Sequence, residues 1–95
     1  MNPNFEWDPA KDESNLAKHG VSFTEAALIW LDPNRIERQD RWENGEERWQ
    51  SIGRVGGRLL LLVAHTIREE GRAETVRIIS ARQAARSERR LYEQQ

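Results

Sequence analysis

The sequence predicts an α+β fold in which two N-terminal helices pack on an antiparallel sheet of about four strands, closed by a C-terminal helix. Three observations predict it. The opening segment carries helix start and stop signals with apolar residues at helical spacing. From Arg35 the apolar period changes to two, and strands follow to Ser80. The last segment then returns to alanines on one helical face and arginines on the other.

Phe5-Glu6-Trp7 alternates apolar and acidic and reads as a short strand or anchor. Asp8-Pro9 places an N-cap before a proline at the first helical position, and this first helix runs to about His19, with Gly20 as its left-handed stop. His19, at the helix C-terminus, reads as a capping residue. Ser22 with Glu25 three residues on has the spacing of a capping box and opens a second helix. Its Phe23, Ala26, Ala27 and Trp30 form one face for a sheet, and Asp32-Pro33-Asn34 ends it.

A strand follows from Arg35 to Trp42, a turn at Asn44-Gly45, and a second strand from Glu47 to Val55. Gly56-Gly57 turns the chain into Arg58 to Arg68, whose Leu59 to Ala64 run is apolar on both parities, as a central strand covered on both faces requires. After a turn at Glu69 to Arg72, Thr75 to Ser80 is its partner. Ser80 with Gln83 repeats the capping-box spacing and starts a final helix toward Tyr92. On it Ala81, Ala84, Ala85, Leu91 and Tyr92 face one way, and Arg82, Arg86, Arg89, Arg90 and Glu93 the other. Of the four tryptophans, Trp7 and Trp30 read as packing residues, whereas Trp42 and Trp49 lie on more polar strands, open to a partner or a base.

At 95 residues the chain has surface for one core, so residues 1–95 form a single domain. With no cysteine and only two histidines, neither disulfides nor a zinc site is expected, and no metal or other cofactor is called for. No apolar run approaches the ~18 residues of a membrane span, and Met1 to Glu6 lacks an export signal, so a cytoplasmic protein with no membrane partner is expected.

The net charge of -1 conceals a division. Residues 1–50 carry six Lys+Arg against eleven Asp+Glu, and residues 51–95 carry nine against five, all nine being arginine. Arginine's planar fork grips phosphate in two places, which makes the second half the candidate nucleic-acid face; a solvated, salt-bridged surface is the plainer reading of the same charges. His65, Arg68 and Arg77, delivered by a strand pair toward Arg82, form the candidate phosphate-handling site. An unperturbed imidazole titrates near neutral pH, which makes His65 the first choice for proton transfer, with Arg68, Arg77 and Arg82 as clamps and Tyr92 and Glu47 as weaker acid or base candidates. Strand parity complicates this group, because His65 sides with Leu61, Val63 and Ile67, and Arg68 with Leu60 and Thr66. Either a bulge re-aims Arg68, or His65 is a core histidine. Lys11, Asn15 and Lys18 form one stripe of the first helix, for phosphate, a partner or solvent. With Arg86 and Tyr92, Lys11 and Lys18 are the candidate RNA-binding residues.

Across nearly its whole length the chain resembles the BrnT ribonuclease toxins of bacterial toxin-antitoxin pairs. The likeness lies in Phe5-Glu6-Trp7-Asp8, Lys11, Asn15, Lys18 to Val21 and Phe23; in Glu47-Arg48 and Ile52-Gly53; and in His65-Thr66, Arg68, Arg77 to Arg82, Glu88-Arg89 and Tyr92. Gln83 stands where many relatives carry lysine, so one possible phosphate contact is missing. The resemblance implies a RelE-like fold and metal-independent RNA cleavage in which arginines carry much of the rate. It also implies neutralisation by a BrnA-like antitoxin, with operator DNA bound only through that antitoxin. A binding module that has lost cleavage is the runner-up. A free-standing DNA-binding regulator is disfavoured by a pI near 6.1 and the lack of a recognition helix.

Overall fold

Four alternating strands and a short strand from the start of the chain assemble one mixed sheet. The structure, a computed structural model, describes residues 3–57 and 59–95. Its elements are β1 (Asn4–Glu6), α1 (Pro9–His19), α2 (Phe23–Ala27) continuing into a 3-10 turn (Leu28–Leu31), β2 (Ile36–Glu43), β3 (Glu46–Val55), β4 (Leu59–Glu70), β5 (Ala73–Gln83) and α3 (Arg86–Glu93). The sheet order is β1-β5-β4-β3-β2, antiparallel except for β1, which lies parallel to β5. This is the α+β architecture expected, with β1 added to the four long strands.

The helix signals act where the sequence sets them. Asp8 Oδ1 accepts from the Ala10 amide at 2.9 Å, Ser22 Oγ accepts from the Glu25 amide at 3.0 Å, and the Gly20 amide closes α1 onto the Leu16 carbonyl. Asn44 and Gly45 both have positive φ, 53° and 77°, as the two-residue turn between β2 and β3 demands. The expected start of the central strand at Arg58 lies outside the described residues.

The central strand is covered on both sides. Leu61 and Val63 pack with Val21, Phe23, Ala26, Ile29, Val76, Ile78 and Ala81 under α2 and α1, whereas Leu60 and Leu62 pack with Ile52 and Tyr92 under α3. Gly53 lets the 3-10 turn approach the sheet, since a Cβ there would stand 2.8 Å from Ile29 Cβ. α1 is attached mainly by polar groups. Its single buried residue, Asn15, donates from Nδ2 to the carbonyls of Val21 and Ala81 and accepts the Ala81 amide on Oδ1, and Asp12 accepts the Phe23 amide.

One expectation is corrected. Ser80 to Gln83 do not open the final helix; they extend β5, where Ser80 pairs with Ala64, Ala81 with Val63, Arg82 with Leu62 and Gln83 with Leu61. The long apolar strand β4 needs a partner along its buried length, and this requirement overrides a local capping-box spacing. α3 starts at Arg86 instead, where Glu88 Oε1 accepts the Ala85 amide at 2.7 Å. The turn before β5 also tightens to Gly71-Arg72. A bulge interrupts the β4–β5 ladder, with Ile79 as the extra residue between the pairs Ala64–Ser80 and His65–Ile78.

Candidate functional site

Strand alternation gives the sheet two chemically different faces. The face under α1 and α2 carries Leu61, Val63, His65, Val76, Ile78 and Ala81. The other carries Leu60, Leu62, Thr66 and Arg68 on β4 and Arg77 and Arg82 on β5, with Ile36 and Arg38 on β2 and Arg48, Gln50 and Ile52 on β3. α3 covers the end of this second face around Ile52, Leu60 and Leu62. The arginines occupy the remainder.

These arginines are held by two carboxylates. Glu88, on α3, grips Arg82 with two bonds of 2.7 and 2.9 Å and lies 3.9 Å from Arg38. The Arg82 bonds hold the Glu88 carboxyl below its ordinary range, against the upward pull of burial, and the same bonds raise the Arg82 guanidinium. Glu6, on β1, stands beside two arginines: Arg68 at 2.9 Å from Oε1 and Arg77 at 3.7 Å from Oε2. Arg68 is raised first by its bond to Glu70 and then by Glu6. Arg48, half-buried on the same face, has a buried Nε without a hydrogen-bond partner, with the carboxylates of Glu43 and Glu46 at 4.0 Å.

His65 lies on the other side of the sheet. It is 0% exposed, its Nε2 stands 2.8 Å from Ser51 Oγ, and its ring meets Trp30 edge-on at 5.0 Å. Arg35 donates to Ser51 at 2.9 Å and to Glu37 at 3.1 Å while stacking over Trp30. Burial drives the His65 imidazole down to about 4, although Glu37 pulls the other way. Of the two alternatives that parity offers, the structure has the core histidine. The bulge lies on β5 and leaves Arg68 pointing away from His65.

The other candidates are dispersed. Tyr92 is buried and donates to Asp32 Oδ2 at 2.6 Å, with Arg54 over its ring at 5.3 Å. Burial and then Asp32 raise the Tyr92 hydroxyl. Burial tends to raise Asp32, but Tyr92, the amides of Arg54 and Asn34 and the Arg54 charge outweigh it and hold the carboxyl low. Lys11 and Lys18 are exposed on α1, beside a shallow hollow that reaches Ile79 and Ser80 at the edge of β5. Arg86 is exposed on the first turn of α3. Gln83 is exposed and, by parity, opposite in direction to Arg82. Among the described residues no group of three or more His, Cys, Asp or Glu is arranged to hold a metal ion.

Sequence reasoning missed Glu6, Glu88, Arg38 and Arg48 as members of this face. Parity offered a signal for Glu6: in Phe5-Glu6-Trp7, two apolar anchors turned inward leave the acid turned outward.

The molecule is a small α+β domain with a cationic, partly uncovered sheet face. Residues 7–88 match the family described as "Ribonuclease toxin, BrnT, of type II toxin-antitoxin system", and this chain belongs to that family. Among solved structures it is similar to the Brucella abortus ribonuclease toxin BrnT, at 24% identity and a TM-score of 0.61, over 88% of this chain and 99% of that one. That likeness concerns the fold. No curated protein matches the chain.

Proposed function

We propose that the chain is a metal-independent endoribonuclease that inhibits translation by cutting RNA on the arginine-bearing face of its sheet. The observation that carries this reading is the placement of Arg68, Arg77 and Arg82 on one sheet face of a chain that belongs to a ribonuclease toxin family. Attack of a ribose 2′-hydroxyl on the adjacent phosphate builds negative charge on the phosphate oxygens. Guanidiniums fixed on strands stabilise that charge with little reorganisation. Arg68 and Arg77 are the proposed clamp on the scissile phosphate, and Arg82 holds the neighbouring stretch. Lys11, Lys18 and Arg86, all exposed, are proposed to follow the flanking backbone. His65 and Tyr92 are assigned to the scaffold, because each is buried and already bonded.

The proposed inhibitor is a BrnA-like antitoxin that covers this face with an acidic segment, operator DNA being bound by the antitoxin alone. Pairing between that segment and the arginines occludes the phosphate site.

The test is cleavage of a defined cellular RNA in EDTA by purified chain without its partner. Arg77→Ala is expected to lower cleavage by about 10²–10³-fold with an unchanged melting temperature. Arg82→Ala is expected to lower it as well, but with some loss of stability, since Arg82 also holds Glu88. A second reading has an observation of its own: Arg68, Arg77 and Arg82 already stand beside carboxylates. Wild-type chain that cuts no RNA, free or with ribosomes, would move the assignment to a binding module acting through its antitoxin in transcriptional autoregulation.

A further inference from the structure

Cleavage by a 2′-hydroxyl needs a proton acceptor within hydrogen-bond reach of that hydroxyl and beside the cations on the phosphate. His65 does not meet this condition, being buried on the far side of the sheet. Nor does Glu88, which is 8% exposed and engaged by both Arg82 nitrogens and the Ala85 amide. Glu47 has the opposite strand parity to Arg48.

Building on the ribonuclease reading above, we propose that Glu6 is the base that takes the 2′-hydroxyl proton. Its two oxygens are differently placed. Oε1 is buried and lies 2.9 Å from Arg68 in an ion pair without a hydrogen bond, and Oε2, which no hydrogen bond among the described residues reaches either, stands 3.7 Å from Arg77. The side chain is 35% exposed although Oε1 is buried, so a substrate reaches the carboxylate at Oε2. The position is also rigid. β1 pairs with β5 from Thr75 to Arg77, and the residues flanking Glu6 are fixed in the core: Phe5 edge-on to Trp30 at 5.2 Å, Trp7 edge-on to Phe23 at 6.1 Å. A carboxylate beside a phosphate would repel it, and Arg68 and Arg77 cancel that repulsion. The charged groups facing Glu6 are Arg77 from β5 and Arg68 from β4, with Glu70 beyond Arg68.

In this step the 2′-hydroxyl proton passes to Glu6 as the 2′-oxygen bonds to phosphorus. The bond from phosphorus to the 5′-oxygen breaks, and the 5′-oxygen leaves with a proton from solvent water. The products are a 2′,3′-cyclic phosphate end and a 5′-hydroxyl end. Glu6 then returns its proton to solvent.

The test compares full-length wild type and Glu6→Gln in three measurements: cleavage in EDTA across pH, affinity for the same RNA carrying a 2′-deoxy residue at the cut, and melting temperature. Glu6→Gln should lose about 10²–10⁴-fold in cleavage and lose the acid limb of the pH-rate profile. It should bind the uncleavable RNA as tightly as wild type or several-fold tighter, because Arg68 and Arg77 are released to phosphate. Cleavage within tenfold of wild type with the acid limb intact makes Glu6 a mere counter-ion and overturns the role. Should Glu6→Gln fail to fold, Glu6→Asp takes its place, keeping the carboxylate but withdrawing it by one methylene. A reduced rate then supports the role and an unchanged rate overturns it. Wild type that cuts no RNA overturns the ribonuclease reading and this role with it, whereas wild type that cuts alongside an active Glu6→Gln overturns the role alone.

Discussion

At the scale of single residues, burial decides what an ionisable group does. His65 has the side chain of a catalyst and the surroundings of a core residue, and its imidazole falls from 6.5 to about 4. The unfolded chain therefore takes up this proton first as pH drops. The contribution to stability is complete above about pH 6.5, is lost progressively toward pH 4, and amounts to on the order of 3 kcal/mol over that window. The expected outcome is a urea midpoint that falls between pH 7 and pH 5 in wild type and much less in His65→Gln. The same pH dependence in both proteins would remove His65 as its cause. Parity showed the sequence reader that His65 and Arg68 face apart, but which of the two faced the solvent depended on where α1 and α2 dock. A single strand does not contain that information.

Among the elements, α1 differs from its neighbours in being attached by polar groups. Leu16 is half exposed, and the single buried residue is Asn15, whose amide serves three backbone groups, one on nearby Val21 and two on distant Ala81. The Lys11-Asn15-Lys18 stripe is thus divided, with two exposed cations flanking a buried clamp. Asn15→Ala strands the Ala81 amide and the two carbonyls, and a loss of roughly 2–4 kcal/mol is expected from chemical denaturation. A loss under 1 kcal/mol would show that water replaces the amide freely. Helix ends were legible because caps are local. The start of α3 was not, because Ser80 to Gln83 satisfy a helix-start spacing while their backbone groups are claimed by β4, a competition that only the assembled sheet resolves.

Considered whole, the molecule keeps its larger apolar core on one side of the sheet and its arginines, beside a smaller apolar cluster under α3, on the other. The arginines were legible as a group; their carboxylate partners were not, since Glu6 reaches Arg77 through a parallel pairing between the two ends of the chain. Although the net charge is -1, RNA binding should weaken steeply with salt, with a log-log slope near -2 if about three phosphates are contacted, and Arg77→Ala should reduce that slope by about 0.7. A slope unchanged by the substitution would place the RNA elsewhere. The extra residue at Ile79 has a further consequence. It sets the phase of everything after it, so that Ala81 points into the core and Arg82 out of it. Deleting Ile79 would leave Ile78 and Ala81 two positions apart and keep that phase, whereas straightening the strand with Ile79 retained would turn the rest of it over, driving a guanidinium into the apolar interior and taking Arg82 from the surface where it meets Glu88.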